Sequence, residues 1–547
     1  MRIGLGQFDA VVGDLEGNAK RMREIYSRAV KQGVELLLFP ELAVCGYPPE
    51  DLLFKKHFIE DNHSTIEKLA ADCPDATIVV GLADLYRGNT YNCAAVLGGG
   101  RINAVYRKCL LPNSDVFDEQ RYFQQGNKPL IINLAGLNIA VTVCMDIWDI
   151  EWLAKFFRKA GRIDVMLNIS ASPFYLDKIK TRKDVLGQCA RKFNCVACYC
   201  NLLGGQDDLI FDGRSMIAEP SGKIVAMAKA FEEDLLIADI TMPDGVVRVE
   251  PQTRHDETGL DILDEMYRAL VLGTKDYVQK NGFSKVLVGL SGGIDSSVTA
   301  AVAVAALGAE NVIGITMPSK FNSAETVSDA EKCAKNLGIE FMTMPIGPVL
   351  EQFNDSLGKV PGWNNEGLAY ENLQARIRGT ILMSLSNQWN ALVLTTGNKS
   401  EIAVGYTTLY GDTAGGFAVI KDVFKTMVFK LARYINEING REIIPASVID
   451  RVPSAELRPN QKDTDSLPDY DLLDKILKGY VEEDKSAQQL IDEGLPGDAV
   501  NRVIRMVDRN EYKRRQSPPG VKITPKAFGR DRRLPITNRY NEGNGSK

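Results

Sequence analysis

A short segment of the sequence combines glycines, hydroxyls and a carboxylate between an apolar run and a helical pattern. In SGGIDSS, residues 291–297, two adjacent glycines let backbone N–H groups turn inward. Ser291, Ser296 and Ser297 add hydroxyl donors at the start of the helical pattern Ile294–Leu307, where a helix N-terminus carries partial positive charge. The segment is therefore suited to hold a polyphosphate.

Asp295 is the unusual group in this loop. A carboxylate among anion donors would repel phosphate unless a divalent cation bridges the two, so we interpret Asp295 as a Mg2+ ligand. The alternative is a helix whose first turn is simply capped by Ser and Asp side chains. No Gly-Lys-Ser/Thr follows the loop, so the sequence does not favour transfer of a γ-phosphate in the manner of a kinase.

Cys144 is the second candidate for reactivity, because it closes an apolar, strand-like run where the chain turns polar. Spacing alone favours a buried core thiol at this position. The chain has three histidines, His57, His63 and His255, and they lie in polar or charged segments. A nucleophile in this protein would therefore take a carboxylate or a lysine as its partner.

Composition excludes several classes of protein. With 547 residues, 45% of them hydrophobic and 25% charged, the chain is an ordinary globular sequence with room for more than one domain. The net charge of -6 argues against sequence-independent binding of DNA across the whole surface. Asp9 and Asp14 interrupt any signal peptide, and the most apolar stretch, Val298–Leu307, is about half of a membrane span. We expect a cytoplasmic protein.

The ten cysteines are too sparse in so long a chain for a disulfide scaffold. The densest group, Cys195, Cys198 and Cys200, lies within an apolar run. A buried strand is favoured over a metal site, because no second cysteine pair or histidine accompanies the group.

The order of apolar runs and helical patterns indicates two α/β domains. In the first half, strand-like runs alternate with amphipathic patterns at Asn18–Lys31 and Trp152–Ala160, as expected for helices that cover a sheet. The second half has the strand, loop, helix rhythm of a doubly wound parallel sheet. A polar segment near His255 predicts domains 1–255 and 256–547, the second opening on a helical pattern. The predicted strands are Arg2–Phe8, Leu36–Phe39, Thr77–Gly81, Cys93–Leu97, Leu137–Val143, Val165–Ile169, Val196–Leu203, Lys285–Leu290, Val312–Met317, Phe341–Pro345 and Ala391–Thr395.

The last 35 residues, 513–547, are basic, with ten Lys or Arg against two acidic residues. A solvated or disordered tail is one interpretation of this charge. The segment also holds prolines and the apolar residues Ile523, Phe528 and Leu534, so docking beside an anionic ligand is the competing interpretation.

The SGGIDSS loop resembles the pyrophosphate loop of the N-type ATP pyrophosphatases, which cleave ATP between the α and β phosphates and adenylate an oxygen of their substrate. Three downstream segments, ENLQARIR (371–378), TTGNKSE (395–401) and GYTTLYGD (405–412), resemble those of the NAD synthetases. Without the resemblance, TTGNKSE reads as a strand end that turns into a helix. The resemblance implies that ATP contacts Gly289, Leu290, Ser291, Gly292, Gly293, Ile294, Asp295, Ser296, Ser297 and Thr396. It further implies that deamido-NAD contacts Asn372, Arg376, Glu401, Tyr406, Thr407 and Lys513. In this set, Arg376 would neutralise phosphate charge. Glu401 would either contact the dinucleotide or be the second ligand of Mg2+, beside Asp295.

In the first half, Glu41 in FPEL, Lys108 in YRK and Cys144 resemble the Glu, Lys, Cys site of the nitrilase amidases, and the resemblance extends over roughly residues 1–250. It implies that Glu41 accepts the thiol proton, that Lys108 favours the thiolate and the developing oxyanion, and that Glu119 orients the lysine. The glutamine-binding residues implied are Ser172 and Lys178, together with Ser114 or its neighbour Phe117, because Ser114 stands where the family more often has a tyrosine.

The whole sequence resembles the glutamine-dependent NAD synthetases. The resemblance implies a nitrilase-like α-β-β-α sandwich followed by a doubly wound sheet of the adenine nucleotide alpha hydrolase type. It also implies glutamine, ATP and deamido-NAD as substrates, Mg2+ as cofactor, no nucleic acid or membrane partner, and a homo-oligomer. Because ammonia is largely protonated at neutral pH, we expect an internal tunnel that keeps it neutral.

Two other functions remain open at this point. The pyrophosphate loop also occurs in amidotransferases and thiolating ligases that act on RNA, and the tail is basic. Against this, Cys333 is alone in the second half, and RNA binding would show a steep salt dependence. A non-catalytic sensor of nucleotide or glutamine is the other alternative, which any glutamine-driven turnover would exclude.

Overall fold

The computed structural model describes residues 1–159, 161–253, 255 and 260–540. The chain divides into two compact units, Met1–Ile262 and Leu263–Lys547. The predicted boundary between residues 255 and 256 stays a prediction, because residues 256–259 lie outside the described ranges, as does Ala160 at the end of a predicted helix. No helix in the described ranges is long and apolar enough to cross a membrane.

The first unit is built from two larger mixed sheets and a small hairpin among its described residues. One sheet has the strand order β15-β14-β1-β2-β3-β4-β5, the other β13-β12-β9-β8-β7-β6, and β10 pairs with β11. The strands are β1 (Arg2–Gln7), β2 (Leu36–Leu38), β3 (Thr77–Tyr86), β4 (Asn89–Gly98), β5 (Arg101–Arg107), β6 (Leu130–Leu134), β7 (Leu137–Val143), β8 (Val165–Ser170), β9 (Val196–Asn201), β10 (Leu203–Gln206), β11 (Leu209–Asp212), β12 (Met216–Ala218), β13 (Ile224–Met227), β14 (Asp234–Thr241) and β15 (Arg248–Pro251). The helices are α1 (Leu15–Lys31), α2 (Lys56–Asp72), α3 (Glu119–Tyr122), α4 (Ile150–Phe156) and α5 (Lys178–Phe193).

The two larger sheets pack face to face, with helices on their outer faces. Leu5 of β1 and Leu38 of β2 share one core with Val141 of β7 and Leu167 of β8, which come from the other sheet. Helices α1 and α2 bury apolar residues against the outer face of the first sheet, and α4 and α5 do so against the second. The predicted α-β-β-α sandwich is therefore confirmed. The layers stack in this way because a sheet or a helix must bury its apolar face against another layer.

The second unit contains a parallel sheet with the strand order β18-β17-β16-β19-β20. Its strands are β16 (Lys285–Gly289), β17 (Val312–Thr316), β18 (Glu340–Thr343), β19 (Ala391–Thr395) and β20 (Phe417–Ala418). Its helices are α6 (Ile262–Lys280), α7 (Ile294–Leu307), α8 (Ala324–Leu337), α9 (Gly347–Leu357), α10 (Leu368–Trp389), α11 (Lys399–Val404), α12 (Lys425–Ile438), α13 (Ala446–Asp450), α14 (Tyr470–Leu477), α15 (Ala487–Asp492), α16 (Gly497–Arg509) and α17 (Glu511–Arg514). The order reverses between β16 and β19, and in doubly wound sheets ligands bind in the crevice beyond such a point.

Between residues 520 and 532 the basic tail packs against the second unit, whereas residues 535–540 are mostly exposed. Val521 and Ile523 are fully buried, and the Lys522 ammonium donates to the carbonyls of Thr524 and Pro525 and pairs with Asp531. The interpretation of a solvated or disordered tail is therefore wrong for this part. Its apolar residues and internal ion pairs outweigh the net positive charge.

The cysteine group near residue 198 is confirmed as part of a buried strand. Cys198 and Cys200 lie within β9 and Cys195 lies immediately before it, and all three thiols are free and fully buried.

Candidate active sites

In the first unit, Glu41, Lys108 and Cys144 each follow the carboxyl end of a strand. Glu41 comes after β2, Lys108 directly after β5, and Cys144 directly after β7. Since β2 and β5 belong to one sheet and β7 to the other, the three residues meet only because the sheets are stacked. Glu41 and Lys108 are fully buried and Cys144 is 5% exposed.

The Lys108 ammonium lies between two carboxylates. Its Nζ donates to Glu41 Oε1 at 2.7 Å and to Glu119 Oε1 at 2.8 Å. Glu41 also accepts from Asn92 Nδ2 at 2.7 Å and from the Ala171 N–H at 2.8 Å. With these donors fixed, the Glu41 carboxylate has one orientation beside the thiol, as a base acting on that thiol requires.

Local backbone geometry holds the Glu41 and Cys144 turns close to the sheets. Gly81 of β3 passes so near the turn that a Cβ there would lie 2.2 Å from the Leu42 nitrogen and 2.5 Å from the Pro40 oxygen. Cys144 itself has a φ of 44°, in the left-handed region that L-residues other than Asn and Asp rarely adopt. Such a strained position at a strand end is typical of a reactive group held by its surroundings.

Burial and the neighbouring charges shift the pKa values in this cluster. Burial, with the Glu41 charge, raises the pKa of the Cys144 thiol, so the resting group is a thiol and needs a base to react. Burial also raises the pKa of Glu119 to about 7, against the lowering effect of Lys108. Burial opposes the Lys108 charge, but Glu119 and Glu41 raise the pKa of this ammonium overall.

Asp146 joins the chain segments that carry Lys108 and Cys144. Its Oδ1 accepts from the Cys109 and Leu110 N–H groups at 3.1 and 2.8 Å, directly after Lys108. Its Oδ2 accepts from the Val143 N–H at 3.0 Å, directly before Cys144, and from the Tyr106 hydroxyl at 2.8 Å. The carboxylate is fully buried, so it acts as a fixed link between the lysine and the thiol rather than as a solvated group.

We expect Asp146→Asn to slow glutamine hydrolysis about 10- to 100-fold, because an amide cannot accept at both atoms and a small displacement of reacting groups is costly. Glutamate release in the absence of ATP measures the change. The matched control is Asp149→Asn, which removes a carboxylate that caps α4 through the Trp152 N–H and keeps normal hydrolysis. Equal losses in the two variants would contradict the linking role.

The predicted glutamine-binding residues occupy different environments. Ser172 is buried; its N–H donates to Asn201 Oδ1 at 2.9 Å and its hydroxyl accepts from Arg182. The Lys178 ammonium lies 4.9 Å from the centre of the Trp148 ring. Phe117 packs against the core of the first sheet, and Ser114 is exposed. Their roles in binding glutamine stay predictions.

In the second unit, the SGGIDSS loop connects β16 to α7 and wraps around the first turn of the helix. Ser296 and Ser297 donate their hydroxyls to the Gly293 carbonyl at 3.0 and 2.9 Å, and the Gly293 N–H lies 3.2 Å from Ser291 Oγ. Gly292 has a φ of +82°, and a Cβ there would lie 2.0 Å from the Thr326 oxygen. A glycine is therefore required for this turn.

Asp295, Glu401 and Lys425 converge at this loop. The Lys425 ammonium donates to Asp295 Oδ2 at 2.5 Å and to Glu401 Oε1 at 3.1 Å. Asn398 caps α11 through the Glu401 N–H and donates its amide to Asp295 Oδ1 at 2.9 Å. Burial raises the pKa of Glu401 to about 8, with Lys425 acting in the opposite direction.

A cavity of about 450 Å³ opens above this group, at the point where the strand order reverses. The predicted residues among its lining are Gly289, Leu290, Ser291, Gly293, Ile294, Asp295, Ser296, Asn372, Thr396, Glu401, Tyr406, Thr407 and Lys513. The segments after β16 and β19 thus meet at one cavity, although about 100 residues separate them.

Three predicted residues do not appear among the cavity's lining in the described part of the chain. Gly292 and Ser297 shape the loop from behind it. Arg376 is exposed and donates to the Leu409 carbonyl at 3.2 Å, whereas Arg378, two positions further along α10, lines the cavity. A contact between deamido-NAD and Arg376 stays a prediction.

Sequence reasoning missed Lys425, Asn398, Asn92 and Tyr47. Tyr47 donates its hydroxyl to Glu119 Oε1 at 3.0 Å. Lys425 carried a usable signal, because it is a lysine at the first position of α12, where the helix dipole disfavours a cation unless an anion is nearby. Asn92 stands directly before the apolar run Cys93–Leu97 and is fully buried, but the polar residues Asn89 and Thr90 before it gave no sign of that burial.

The donor set at the cavity fits Mg2+. Asp295 and Glu401 point their oxygens at one atom, Lys425 Nζ, and Mg2+ in nucleotide sites takes one or two carboxylates together with substrate phosphates. The described residues contain no cluster of three or more metal-binding side chains.

Comparisons with known proteins cover the whole chain. Residues 2–246 match the carbon-nitrogen hydrolase family, and residues 266–517 match the NAD synthase family. The chain is 43% identical to the glutamine-dependent NAD(+) synthetase of Thermotoga maritima over 99% of both chains, and 44% identical to that of Acinetobacter baylyi over 98% of both. It also resembles the solved glutamine-dependent NAD+ synthetase of Acinetobacter baumannii in complex with ADP, at 41% identity, a TM-score of 0.78 and 98% coverage of both chains.

Fold, sites and comparisons together define a fusion of a nitrilase-like hydrolase with an NAD synthase. The chain belongs to the glutamine-dependent NAD synthetases, a family of ligases, and the resemblance predicted from the motifs is confirmed.

Proposed function

We propose that the protein amidates deamido-NAD to NAD, using ATP and ammonia that its first unit releases from glutamine. One observation supports the proposal above others: a buried Glu41, Lys108 and Cys144 cluster and a phosphate-type loop at a cavity occur in one chain. The products expected are NAD, glutamate, AMP and pyrophosphate.

In the first unit, the Cys144 sulfur attacks the carboxamide carbon of glutamine while Glu41 takes the thiol proton. Lys108 donates to the oxyanion that forms, because its ammonium is held charged by Glu41 and Glu119. As the intermediate collapses, Glu41 passes this proton to the leaving nitrogen, so that ammonia is released, a thioester remains and Glu41 is again a carboxylate. Water, deprotonated by Glu41, then hydrolyses the thioester to glutamate and restores the thiol.

In the second unit, the nicotinate carboxylate attacks the α-phosphorus of ATP, and ammonia then displaces AMP from the adenylate. The N–H groups of the 291–297 loop and the Ser291 hydroxyl hold the phosphates at the start of α7, while the Ser296 and Ser297 hydroxyls brace the loop through the Gly293 carbonyl. Lys425 neutralises the departing pyrophosphate and keeps Asp295 and Glu401 in place. Mg2+, when held by these carboxylates and the phosphates, supplies further positive charge to the leaving group.

An oxygen-transfer experiment tests the adenylate. Deamido-NAD labelled with 18O in its nicotinate carboxylate should pass one label to AMP for each NAD formed, because the activated oxygen leaves with AMP. Mass spectrometry of AMP and pyrophosphate measures the transfer, and unlabelled deamido-NAD in 18O water is the control. Label found in pyrophosphate, or in inorganic phosphate with ADP as co-product, would contradict attack at the α-phosphorus.

The pH dependence of glutamine hydrolysis tests the role given to Glu119. Its pKa is raised to about 7, so its charge appears between about pH 6 and pH 8, and the ionised form strengthens Glu41 as a base and holds Lys108. We expect kcat/KM to rise about tenfold over this interval, with a midpoint near 7. In Glu119→Gln the overall rate is lower and this midpoint is lost. An unchanged midpoint in the variant would assign the titration to another group.

The homo-oligomeric state is proposed from the family alone, the cytoplasmic location from the sequence, and the enclosed passage of ammonia from its protonation at neutral pH. Light scattering of the purified protein measures the first. If deamido-NAD binds at an assembled dimer, the rate of NAD formation per chain should depend on protein concentration. The rate of glutamine hydrolysis, which takes place within one chain, should not depend on it.

A further inference from the structure

A buried ion cluster lies behind the cavity of the second unit, centred on Lys399. The Lys399 ammonium is fully buried; it donates to Glu482 Oε1 at 2.6 Å, Thr524 Oγ1 at 2.6 Å and the Lys526 carbonyl at 2.9 Å, and it forms an ion pair with Asp422 Oδ1 at 2.8 Å. Although burial opposes its charge, Asp422 and Glu482 raise the pKa of Lys399. The cluster is absent from the lining of the cavity as described, so it does not contact substrate there.

Thr524 and Asp422 tie the C-terminal tail into this cluster. Asp422 Oδ2 accepts from the Ile523 and Thr524 N–H groups at 2.8 and 2.7 Å, and the Thr524 hydroxyl lies 2.9 Å from Asp422 Oδ1. Just before this point, the tail pairs with β20, where the Ala418 N–H donates to the Pro519 carbonyl at 2.8 Å. The tail therefore runs alongside residues 418–422, and Thr524, at the end of this contact, accepts from the Lys399 ammonium.

The cluster is close in the chain to a group that lines the cavity, because Lys399 lies two positions before Glu401. Lys399 directly follows Asn398, which holds Asp295 and caps the helix that carries Glu401. The Lys399 N–H donates to the Val423 carbonyl at 2.9 Å, and the Lys425 N–H donates to Ser400 Oγ at 2.9 Å. The start of α11 and the start of α12 are thereby fixed against each other, and with them the spacing of Asn398, Glu401 and Lys425.

We propose that the tail segment 520–526 is a positioning element of the synthetase site, with Thr524 acting through Lys399 and Asp422. The tail's role is to complete the hydrogen bonds of a buried ammonium and so set the geometry in which Lys425 meets Asp295 and Glu401. This inference rests on the proposed function for its main readout, and it assigns to the tail a role other than contact with deamido-NAD through Lys513.

Thr524→Val tests the proposal, because it removes the hydroxyl and keeps the shape. We expect kcat for NAD formation to fall about tenfold, from glutamine and from ammonium alike, with little change in KM for ATP. Glutamine hydrolysis by the first unit should not change. Thr524→Ser, which retains the hydroxyl, should keep at least about half of the wild-type kcat. These results in a protein whose thermal midpoint lies well above the assay temperature would support the positioning role.

The matched control is Thr274→Val in α6. Thr274 is fully buried, and its hydroxyl has no hydrogen-bond partner within the described part of the chain, so its loss should leave kcat unchanged. Thr524→Val with wild-type kcat would overturn the proposal, as would a loss in Thr524→Ser equal to that in Thr524→Val. A loss that disappears when rates are divided by the fraction of folded protein would also overturn it. Wild-type protein that forms no NAD would instead reject the proposed function.

Discussion

Cys144→Ala should abolish NAD formation from glutamine and leave NAD formation from ammonium salts at the wild-type rate. The sulfur is the atom that forms the thioester, and alanine offers no replacement, so a loss of at least about 10³-fold is expected. The synthetase cavity is lined entirely by residues 289–513 of the second unit and should be unaffected. Parallel assays of NAD with each nitrogen source, at saturating ATP and deamido-NAD, make the measurement.

A second cysteine provides the control for this variant. Cys198→Ala replaces a fully buried thiol in β9, which belongs to the same sheet as β7, the strand that Cys144 follows. Burial raises the pKa of the Cys198 thiol without a contribution from a carboxylate. This variant should keep glutamine-driven NAD formation, with some loss of stability from the small cavity. Normal use of glutamine by Cys144→Ala would reject the assignment of the nucleophile, and loss of both activities would indicate that the two units are not separable in function.

The sequence predicted the individual helices and strands better than it predicted which of their residues lie close together in the fold. Helix α7 begins and ends where predicted, because Gly293 and Gly308 bound it. Strand β3 instead extends from the predicted Gly81 to Tyr86, since its antiparallel ladder with β4 continues past the glycine. Leu82, Ala83 and Asp84 of this extension are buried, and only its last two residues are exposed. A glycine within an apolar run therefore does not mark the end of a strand whose backbone hydrogen bonds continue in a hairpin.

In the candidate sites, too, single residues could be predicted from the sequence, but the contacts between distant residues could not. Spacing alone favoured Cys144 as a buried thiol, and it is buried, but Glu41 and Lys108 beside it come from the other sheet and became visible only through the family resemblance. Arg376 and Arg378 differ by two positions on α10, which is about half a helical turn, so one arginine faces solvent and the other lies at the cavity. Lys425 was missed because its partners lie 130 and 24 residues away.

Asp295→Ala should abolish NAD formation from both nitrogen sources while glutamine hydrolysis in the first unit continues. Asp295 accepts from Lys425 and Asn398, and its carboxylate is one of two, with that of Glu401, that hold the Lys425 ammonium. Without it, Lys425 and any bound Mg2+ lose their shared partner at the pyrophosphate. Stabilisation of a leaving phosphate by such groups is worth several kcal/mol, so we expect a loss of about 10³-fold.

Asp295→Asn separates charge from shape. The amide oxygen can still accept from Asn398 and fills the same space, so the fold of the loop should persist while the negative charge is lost. If charge is what matters, this variant loses nearly as much activity as Asp295→Ala, and raising the Mg2+ concentration restores little. The control is Asp471→Asn, at an exposed position in the first turn of α14. Asp295→Asn with wild-type kcat would show that the carboxylate only supports the loop, because its role at the phosphates depends on an ionised oxygen that an amide cannot supply.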